Sequence, residues 1–313
     1  MATKFVRLRG TNVVAKTIVQ GFQELRSRLE ITDLQSSAVS QRHQNIREIL
    51  KQELPVLEDG GDFLTGSYVR KTMIAPLKEA DIDIFFVLNR SYYYDNNQAS
   101  LLDKVKSTLK KAYPNTADIS RDGQAITISF HDFKVDVVPA FHRMLSFFVP
   151  GYLIANTITK TWVITNPKKH IEIWSKANQE HNGDLIPLIK MMKAWNKTNG
   201  ALLTSFHLEC LLLSIWNGQS ITDFPSAVLY AFGRARRFFR YPLLFTVHDP
   251  AVSDSNVGAY LNTRKKREAV LSRLEMAYTR AKKAQETASQ GNIQEAFTNW
   301  QYIFGDYYFP AFG

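Results

Sequence analysis

Residues 62–87, DFLTGSYVRKTMIAPLKEADIDIFFV, decide the fold. Gly66 and Ser67 follow a short apolar segment and predict a turn, in which backbone N–H groups can approach a phosphate closely because glycine has no Cβ. After thirteen intervening residues, Asp81 and Asp83 open an apolar run that is typical of a buried strand. Side chains two positions apart on a strand project from one face, so the Cα atoms of these acids lie roughly 6.5 Å apart. Such a pair can share Mg²⁺, which prefers oxygen ligands and completes its shell with substrate phosphates.

A third acidic residue lies in a later strand. The segment AITISF predicts one strand, HDFK a turn and VDVVPAF a second strand, which we expect Pro139 to close. Asp136 lies between two valines of this second strand. Burying a lone ionised carboxylate is costly, so Asp136 needs a cation or strong hydrogen-bond donors. Two interpretations stay open, namely an ion pair with Lys134 or an arginine, and a place in a metal site beside the two earlier acids.

Three carboxylates on adjacent strands, with a Gly-Ser turn upstream, suit nucleotidyl transfer. Two acids hold a metal that neutralises a triphosphate, and the third helps to bind a second metal beside the attacking hydroxyl, where it promotes loss of the proton. The turn grips the departing phosphates. Other chemistries find no support, because the seven histidines show no HExxH spacing and the chain has no GxSxG, Walker A or GxGxxG motif.

The bulk composition is that of an ordered globular protein. With 313 residues, 45% of them hydrophobic and 22% charged, the chain is near the size at which one core divides into two domains. A net charge of +10 favours anionic partners, and nucleotides, nucleic acid and anionic membranes all qualify. The single cysteine, Cys210, lies in an apolar run and is expected to be buried, which excludes a disulfide framework and a thiolate zinc site.

The sequence gives no indication of secretion or membrane insertion. Lys16 and Gln20 interrupt the apolar core that an N-terminal signal peptide would need, and no eighteen apolar residues run together. We therefore expect no membrane span and a cytoplasmic location.

The first half of the chain predicts helices around a sheet. Two helices between residues 11 and 54, the second ended by Pro55, precede a turn over 58–62 and the strand that leads into Gly66. A further helix is expected over 95–113, after the Asp81 strand.

The second half of the chain turns helical. The irregular pattern of 144–179 predicts a boundary there, with a core of residues 1–160 that includes the N-terminal helices and a helical lobe of residues 161–313. In the lobe we expect a loop over VHDPAVSDSNVG and five helices, formed by LIPLIKMMKAWNK with Asp184 as cap, SFHLECLLLSIWN capped by Thr204 or Ser205, a segment that begins near Asp223, and residues 259–288 and 290–303.

These motifs resemble the polymerase-β-type nucleotidyltransferase superfamily and, more narrowly, the cyclic GMP-AMP synthase and DncV-like (CD-NTase) group of bacterial antiphage signalling enzymes. The likeness covers nearly the whole chain and is carried by GS-x13-DID, VDVVPAF, LIKMMKAWN and TSFHLE. It implies an α/β (α+β) fold, with a polymerase-β-like core of mixed sheet beside a mostly helical C-terminal lobe. It also implies Mg²⁺-dependent synthesis, with Mn²⁺ as a possible substitute, of a cyclic di- or trinucleotide messenger from nucleoside triphosphates, ATP among them.

The resemblance assigns a role to eight residues. Asp81, Asp83 and Asp136 match the metal-binding triad, in which Asp136 matches the acid that activates the attacking hydroxyl. Gly66 and Ser67 match the triphosphate turn. The remaining matches are Lys193 and Ser205, for residues that reach the triphosphate, and Phe206, for an aromatic residue stacked on the bases.

The residues by themselves leave three of these roles open. Lys193 also fits an exposed helix lysine, and Lys190 is a rival for the same contact. Ser205 also fits a plain helix cap, and Phe206 also fits core packing. Arg70 or Lys71, next to the turn, are further candidates for a phosphate contact.

Partners and rival functions stay open as well. The basic runs RARRFFR and RKKRE fit solvated helix faces better than a nucleic-acid contact, which is not excluded. One cysteine cannot build the zinc insertion that animal relatives use with DNA. The alternatives are a template-independent RNA or tRNA nucleotidyltransferase and a catalytically silent nucleotide or nucleic-acid sensor. The resemblance further implies an operon-encoded regulatory partner, or conjugation through the C-terminal Gly313.

Overall fold

The computed structural model describes residues 14–54, 61–95, 97–116, 118–146, 149–241 and 246–313. The expected helix end at Pro55, the first part of the expected turn over 58–62 and most of the N-terminal stretch lie outside these ranges. Within the ranges, no helix is long and apolar enough to cross a membrane.

Two capped helices open the described chain, as predicted. After the short strand β1 (Val14–Ala15), α1 (Ile18–Arg28) begins next to Thr17 and α2 (Asp33–Glu53) next to Thr32. Each threonine hydroxyl accepts from the backbone N–H of the glutamine three residues later, and that glutamine side chain accepts from the threonine N–H. This reciprocal pair satisfies amides that a first helical turn leaves without an intrahelical partner.

A mixed sheet of seven strands forms the core. Its strands are β2 (Asp62–Thr65), β3 (Asp81–Val87), β4 (Ile119–Asp122), β5 (Ala125–Ser129), β6 (Lys134–Ser146), β7 (Val149–Asn156) and β8 (Thr161–Thr165). Their spatial order is β2-β3-β6-β5-β4, and β7 and then β8 extend from β6. Strands β3 and β6 are parallel, and the other pairs in this sheet are antiparallel. Helical segments between the strands are α3 (Gly66–Val69), a 3₁₀ turn (Leu77–Glu79), α4 (Ser91–Asp95) and α5 (Gln98–Ala112).

The two faces of β3 have different environments. Ile82, Ile84 and Phe86 are buried in one hydrophobic cluster with residues of α2 and α5. Because side chains alternate along a strand, Asp81 and Asp83 project from the opposite face. Helices α2 and α5 therefore cover one face of the sheet, and the acids lie on the other.

Strand β6 continues past Pro139, so the predicted strand end there is wrong. Strand β5 pairs with β6 as far as Val137, and β7 pairs with it from Ala140. Pro139 lies at this change of partner, where its missing N–H interrupts neither antiparallel ladder.

The second half of the chain is mainly helical, as predicted. Its elements are α6 (Pro167–Glu180), α7 (Leu185–Thr198), α8 (Ser205–Trp216), α9 (Phe224–Arg240), β9 (His248–Asp249), β10 (Val252–Asn256), α10 (Arg264–Ser289), α11 (Ile293–Phe304) and β11 (Ala311–Phe312). Helices α7 and α8 are its centre, because most of their residues are buried, including Cys210. Two expectations are corrected. The segment predicted to be irregular contains β7, β8 and most of α6, and the predicted VHDP loop contains the paired strands β9 and β10.

Helix α1 packs with the helical half rather than with the sheet. Phe22, Leu25 and Leu29 belong to the hydrophobic cluster of α7, α8, α9 and α11, and β1 pairs in parallel with β11. On the other side of the predicted boundary, β8 completes the sheet through its pairing with β7. The division into residues 1–160 and 161–313 stays a prediction, and both of these elements cross it.

Candidate active site

A row of four polar residues crosses four neighbouring strands. Asp83 of β3 lies opposite Thr65 of β2 on one side and opposite Asp136 of β6 on the other. Asp136 in turn lies opposite Thr127 of β5. Asp81 shares the face of Asp83 two positions earlier in β3. The pairing register therefore brings the three predicted acids together.

The Gly66 turn packs directly against this row. Gly66 has φ +70°, a left-handed conformation that glycine adopts without strain. A Cβ atom built on it would lie 1.7 Å from Oδ2 of Asp83, so only glycine fits here. The backbone oxygen of Ser67 accepts from the N–H groups of Thr72 and Met73, at 2.9 and 3.1 Å. These bonds hold the turn beside the acids.

The pKa of Asp83 reflects first its burial and then the negative charge beside it. Burial, followed by the charge of Asp136, raises the pKa of Asp83 to about 7, and Arg70 and Lys193 oppose this shift. Like-charged carboxylates disfavour each other's ionised form. A divalent cation between them would remove that repulsion, and carboxylate oxygens are the donors that Mg²⁺ prefers. The type of donor therefore suits Mg²⁺.

Protein ligands alone do not complete such a site. Among the described residues, no three acidic, histidine or cysteine side chains form a group that could hold a metal ion. Asp81 is exposed, whereas Asp83 and Asp136 are partly buried. An ion held by these acids therefore needs further oxygen ligands, which a bound triphosphate would supply.

Thr127 is a site residue that the sequence reasoning missed. Its hydroxyl donates a 2.6 Å hydrogen bond to Oδ1 of Asp136. The bond supplies a donor that the partly buried carboxylate needs, and it fixes the side-chain direction. The alternation in AITISF places Thr127 on the polar face, which is the pattern that could have identified it.

A basic wall faces the acids. Lys193 of α7 is only 7% exposed, so the alternative of an exposed helix lysine is wrong. Its Nζ donates to the backbone oxygen of Thr72 at 2.9 Å and to Oε1 of Glu209 at 3.2 Å. Arg70 is also buried and donates through Nε to Oε2 of Glu209 at 3.0 Å. The rival Lys190 instead forms a 2.6 Å ion pair with Glu30.

The start of α8 supplies the remaining predicted residues. Thr204 is the helix cap, because its hydroxyl accepts from the N–H of His207, and Ser205 is the exposed first residue of the helix. The ring of Phe206 is partly buried and stacks on Trp174, with ring centroids 5.9 Å apart and planes 18° apart. Phe206 therefore packs against the lobe and also faces the cleft described next.

All eight predicted residues line one cleft of about 670 Å³ between the sheet and the helical half. Gly66, Ser67 and the three aspartates lie on the sheet side, and Lys193, Ser205 and Phe206 lie on the helical side. Arg70 lines the same cleft. The structure thus brings together residues that are as much as 140 positions apart in the sequence, as Gly66 and Phe206 are.

The cleft also contains a buried histidine–acid pair that the sequence did not indicate. Nε2 of His170 lies 2.7 Å from Oδ1 of Asp249, and both residues line the cleft. The His170 ring lies edge-on to Phe206, with centroids 5.0 Å apart. The pair joins the start of α6 to the β9–β10 hairpin at the helical side of the cleft.

Comparison with known proteins gives a consistent result. Residues 17–178 match the family described as Second Messenger Oligonucleotide or Dinucleotide Synthetase domain, which is more than half of the chain. A cyclic AMP-AMP-AMP synthase from an Acinetobacter strain is 26% identical over 255 residues, which cover 77% of this chain and 72% of that protein. A CBASS oligonucleotide cyclase CdnC from Escherichia coli is 23% identical over 299 residues, with 88% and 87% covered.

Solved structures share the architecture at low sequence identity. Escherichia coli CdnC with ATP superposes with a TM-score of 0.73 at 17% identity, and covers 93% of this chain and 98% of its own. Escherichia coli DncV with bound 3'-deoxy GTP gives a TM-score of 0.71 at 15% identity, with 91% and 94% covered. These likenesses confirm the predicted fold, a mixed-sheet core beside a helical lobe.

Proposed function

The chain belongs to the second messenger oligonucleotide or dinucleotide synthetase family, and we propose that it joins nucleoside triphosphates into a cyclic di- or trinucleotide in a Mg²⁺-dependent reaction. The membership confirms the resemblance to CD-NTase enzymes that the motifs indicated, and with it the prediction of a nucleotidyltransferase. One observation carries the finer proposal. Three aspartates and two buried cations, Arg70 and Lys193, line the same cleft.

This separation of charge suits a triphosphate. Asp81, Asp83 and Asp136 would hold Mg²⁺, which when bound neutralises phosphate charge and favours ionisation of the attacking hydroxyl. Mn²⁺ would suit the same oxygen donors. Arg70 and Lys193 would bind the outer phosphates, which carry the charge that leaves with pyrophosphate.

Each remaining residue has a stated task in the proposal. The N–H groups of the Gly66–Ser67 turn bind the departing phosphates, and Ser205 at the N-terminus of α8 adds a donor where a helix favours anions. Phe206 offers an aromatic surface to a base. Asp136, held by the Thr127 hydroxyl, is placed to accept the proton of the attacking hydroxyl.

The test is a product assay with purified protein, radiolabelled nucleoside triphosphates and Mg²⁺. We expect a product that phosphatase does not degrade, because a cyclic oligonucleotide has no terminal phosphate. The product should be absent from the double variant Asp81→Asn/Asp83→Asn and without divalent cation. A product that instead extends added RNA as a linear polymer would support the RNA or tRNA nucleotidyltransferase and reject the cyclic product.

The cellular role and partners belong to the same proposal. We expect the messenger to act in antiphage defence, with a regulatory protein encoded nearby. One of the similar solved structures is a complex of Escherichia coli CdnC with HORMA-deltaN. The match to this structure covers 92% of this chain at a TM-score of 0.72. Purifying this chain after co-expression with its gene neighbours tests the expectation, and its recovery without any of them would reject the regulatory partner.

Conjugation through Gly313 has a structural requirement. Ala311 and Phe312 pair with Val14 and Ala15, and the last three residues are exposed. A conjugating enzyme would have to separate β11 from β1 before it could enclose Gly313. Intact-mass measurement after the same co-expression would detect a modified C-terminus, and an unmodified mass would reject the proposal.

A further inference from the structure

Glu209 is a fully buried acid that none of the assigned roles uses. It lies in α8, and its relative exposure is 0%. Its two carboxylate oxygens accept from different cations, Oε1 from Lys193 at 3.2 Å and Oε2 from Arg70 at 3.0 Å. The two cations come from different parts of the fold, since Lys193 lies in α7 and Arg70 follows the Gly66 turn.

The charges of this cluster do not cancel. One carboxylate faces two buried cations, so the group carries one positive charge in excess. Burying an uncompensated charge is costly, and buried charges are ordinarily paired. Asp83 also lies within electrostatic reach of both cations, and both cations line the cleft, where a further anion can contact them.

Arg70 has donors to offer such an anion. Among the described residues, the hydrogen bonding of its side chain is limited to the Nε bond to Glu209. The carbon of its guanidinium lies over the rings of Trp174 and Phe206, at 5.2 and 5.5 Å from their centroids. The bond to Glu209 and the two rings restrict the position of the guanidinium, and within the described part of the chain its terminal nitrogens donate no hydrogen bond. A guanidinium with two free nitrogens matches the geometry of a phosphate.

We propose that Glu209 is a positioning residue that holds Arg70 and Lys193 in the orientation in which both bind the triphosphate, and that Arg70 is itself a phosphate ligand. This inference rests on the proposed function, in which Arg70 and Lys193 bind the outer phosphates, and adds Glu209 as the residue that orients them. Burial lowers the pKa of Lys193, and Glu209 opposes that effect, so the carboxylate also favours the charged form of the lysine.

The same helix provides a matched control. Lys190 is as buried as Lys193, with 6% and 7% of the residue exposed, and it also pairs with a glutamate. Its partner Glu30 is about half exposed, and neither Lys190 nor Glu30 is among the described residues that line the cleft. Glu30→Gln therefore removes a glutamate partner from a buried α7 lysine without changing the cleft.

The experiment compares ligand binding by Glu209→Gln, Glu30→Gln and the unsubstituted protein. Calorimetry measures the affinity of each protein for two ligands. One is an ATP analogue that cannot be cleaved between its α- and β-phosphates, and the other is adenosine, the phosphate-free probe. Loss of a hydrogen-bonded charge pair predicts that Glu209→Gln weakens binding of the analogue by about tenfold or more. Adenosine binding by Glu209→Gln and both affinities of Glu30→Gln should change by less than about twofold, as expected for groups away from the phosphates.

Two results would overturn the inference. In one, Glu209→Gln binds the analogue as tightly as Glu30→Gln does. In the other, the variant loses affinity for adenosine and the analogue equally, which indicates a structural role only.

A variant with two unpaired buried cations can fail to fold, so a second variant removes one of them. In Glu209→Gln/Lys193→Met the excess charge returns to that of the native cluster. Lys193→Met leaves the bond between Glu209 and Arg70 in place, so the double variant should bind the analogue several-fold more weakly than Lys193→Met, because Arg70 then loses its orientation. Adenosine should bind both variants with equal affinity. A double variant that binds the analogue as tightly as Lys193→Met would overturn the inference.

Failure of this inference can be told apart from failure of the proposed function. If the protein makes a cyclic product and Glu209→Gln binds the analogue normally, the inference fails and the function stands. If no cyclic product forms but Glu209→Gln loses affinity for the analogue and not for adenosine, the proposed function fails and the positioning role stands.

Discussion

Gly66 and Asp83 are in such close contact that the carboxylate occupies the position of a side chain at Gly66. A Cβ atom on Gly66 would lie 1.7 Å from Oδ2 and 2.5 Å from Cγ of Asp83. The turn that is proposed to bind phosphate and the acid that is proposed to bind metal therefore cannot move independently.

The first prediction concerns Gly66→Ala. The left-handed backbone at φ +70° costs a residue with Cβ about 1–2 kcal/mol, and the methyl group must also displace Asp83. Because displacements of about 1 Å at a reacting centre can cost about 100-fold in rate, we expect at least that loss in product formation. Initial rates and urea denaturation measure the two effects.

The control for this prediction is Gly291→Ala. Gly291 lies between α10 and α11 with φ +83°, and a Cβ atom at this position would meet no other atom within 4 Å. The variant should lose about 1–2 kcal/mol of stability and keep its activity. Equal activity of the two variants would show that the contact with Asp83 has no catalytic importance.

The second prediction is that Asp83→Asn stabilises the metal-free protein while it abolishes activity. The pKa of Asp83 is raised to about 7 from 3.8, so between these values the folded state holds a proton that the unfolded state has lost. Stability therefore falls as pH rises through this window, by up to about 4 kcal/mol, and asparagine removes the penalty. Urea denaturation in chelator at pH 5 and pH 8 measures it.

The advantage of Asp83→Asn should be larger at pH 8 than at pH 5. Asp103→Asn is the matched control, because Asp103 is an exposed acid paired with Arg121 and should change stability by at most about 1 kcal/mol. If Asp83→Asn were less stable than the parent at pH 8, burial of the ionised Asp83 carboxylate and its repulsion by Asp136 would not dominate the stability of the site.

The third prediction concerns the missed residue Thr127. Thr127→Val keeps the shape of the side chain and removes the 2.6 Å hydrogen bond to Asp136. A hydrogen bond to a charged group contributes about 1.5–3 kcal/mol, so we expect kcat to fall by about tenfold or more. Steady-state kinetics should show a smaller change in KM, since Thr127 is not proposed to contact the nucleotide.

Ser129→Ala on the same strand is the control for Thr127→Val. Its hydroxyl donates to Asp118, an exposed acid that does not line the cleft, at 2.9 Å. This variant should keep its kcat. An equal fall in both variants would point to general loosening of β5 rather than to orientation of Asp136.

The fourth prediction is an acid-dependent loss of stability through His207. Burial lowers the pKa of this histidine to about 4 from 6.5, so the folded state resists its protonation. The contribution of His207 to the free energy of unfolding is complete above pH 6.5 and is lost as pH falls toward 4. The loss amounts to about 2–3 kcal/mol at pH 4.5. In His207→Gln this part of the pH dependence should disappear. Urea denaturation at pH 7 and pH 4.5 tests it, and parallel losses in both proteins would contradict it.

Local patterns were sufficient to predict much of the fold. The apolar run that Asp81 and Asp83 open predicted a buried strand, and β3 (Asp81–Val87) coincides with this run. Five of the six described lobe helices, α7 to α11, were predicted from apolar periodicity and cap residues, whereas α6 was not. Asp223 does cap α9, but the side chain of Asp184 makes no cap hydrogen bond to α7. The same patterns failed at Pro139, because whether a proline ends a strand depends on which neighbours pair there, and pairing partners are not a local property.

The candidate site was predicted where its residues share a strand or a motif. The place of Asp136 on a strand beside Asp81 and Asp83 was also predicted, but the contacts of Glu209 and His170 with residues of other elements were not. The bonds of Glu209 to Arg70 and Lys193 cross sequence separations of 139 and 16 residues, and His170 and Asp249 are 79 residues apart. Lys193 was open to interpretation as a surface lysine because a helical pattern shows which face is apolar, but not that a second buried helix carries its partner.

Thr65, Asp83, Asp136 and Thr127 form a row only when their four strands pair in the native register. Catalytic activity therefore depends on correct strand pairing. If the pairing register of β3 and β6 shifted by one residue, either Asp83 or Asp136 would turn to the opposite face of the sheet, where α2 and α5 pack. Such a molecule would keep its strands and helices and give an unaltered circular dichroism spectrum in the far ultraviolet. The specific activity of a refolded sample, divided by its helical and strand content, would then report the fraction of molecules whose strands have paired in the native register.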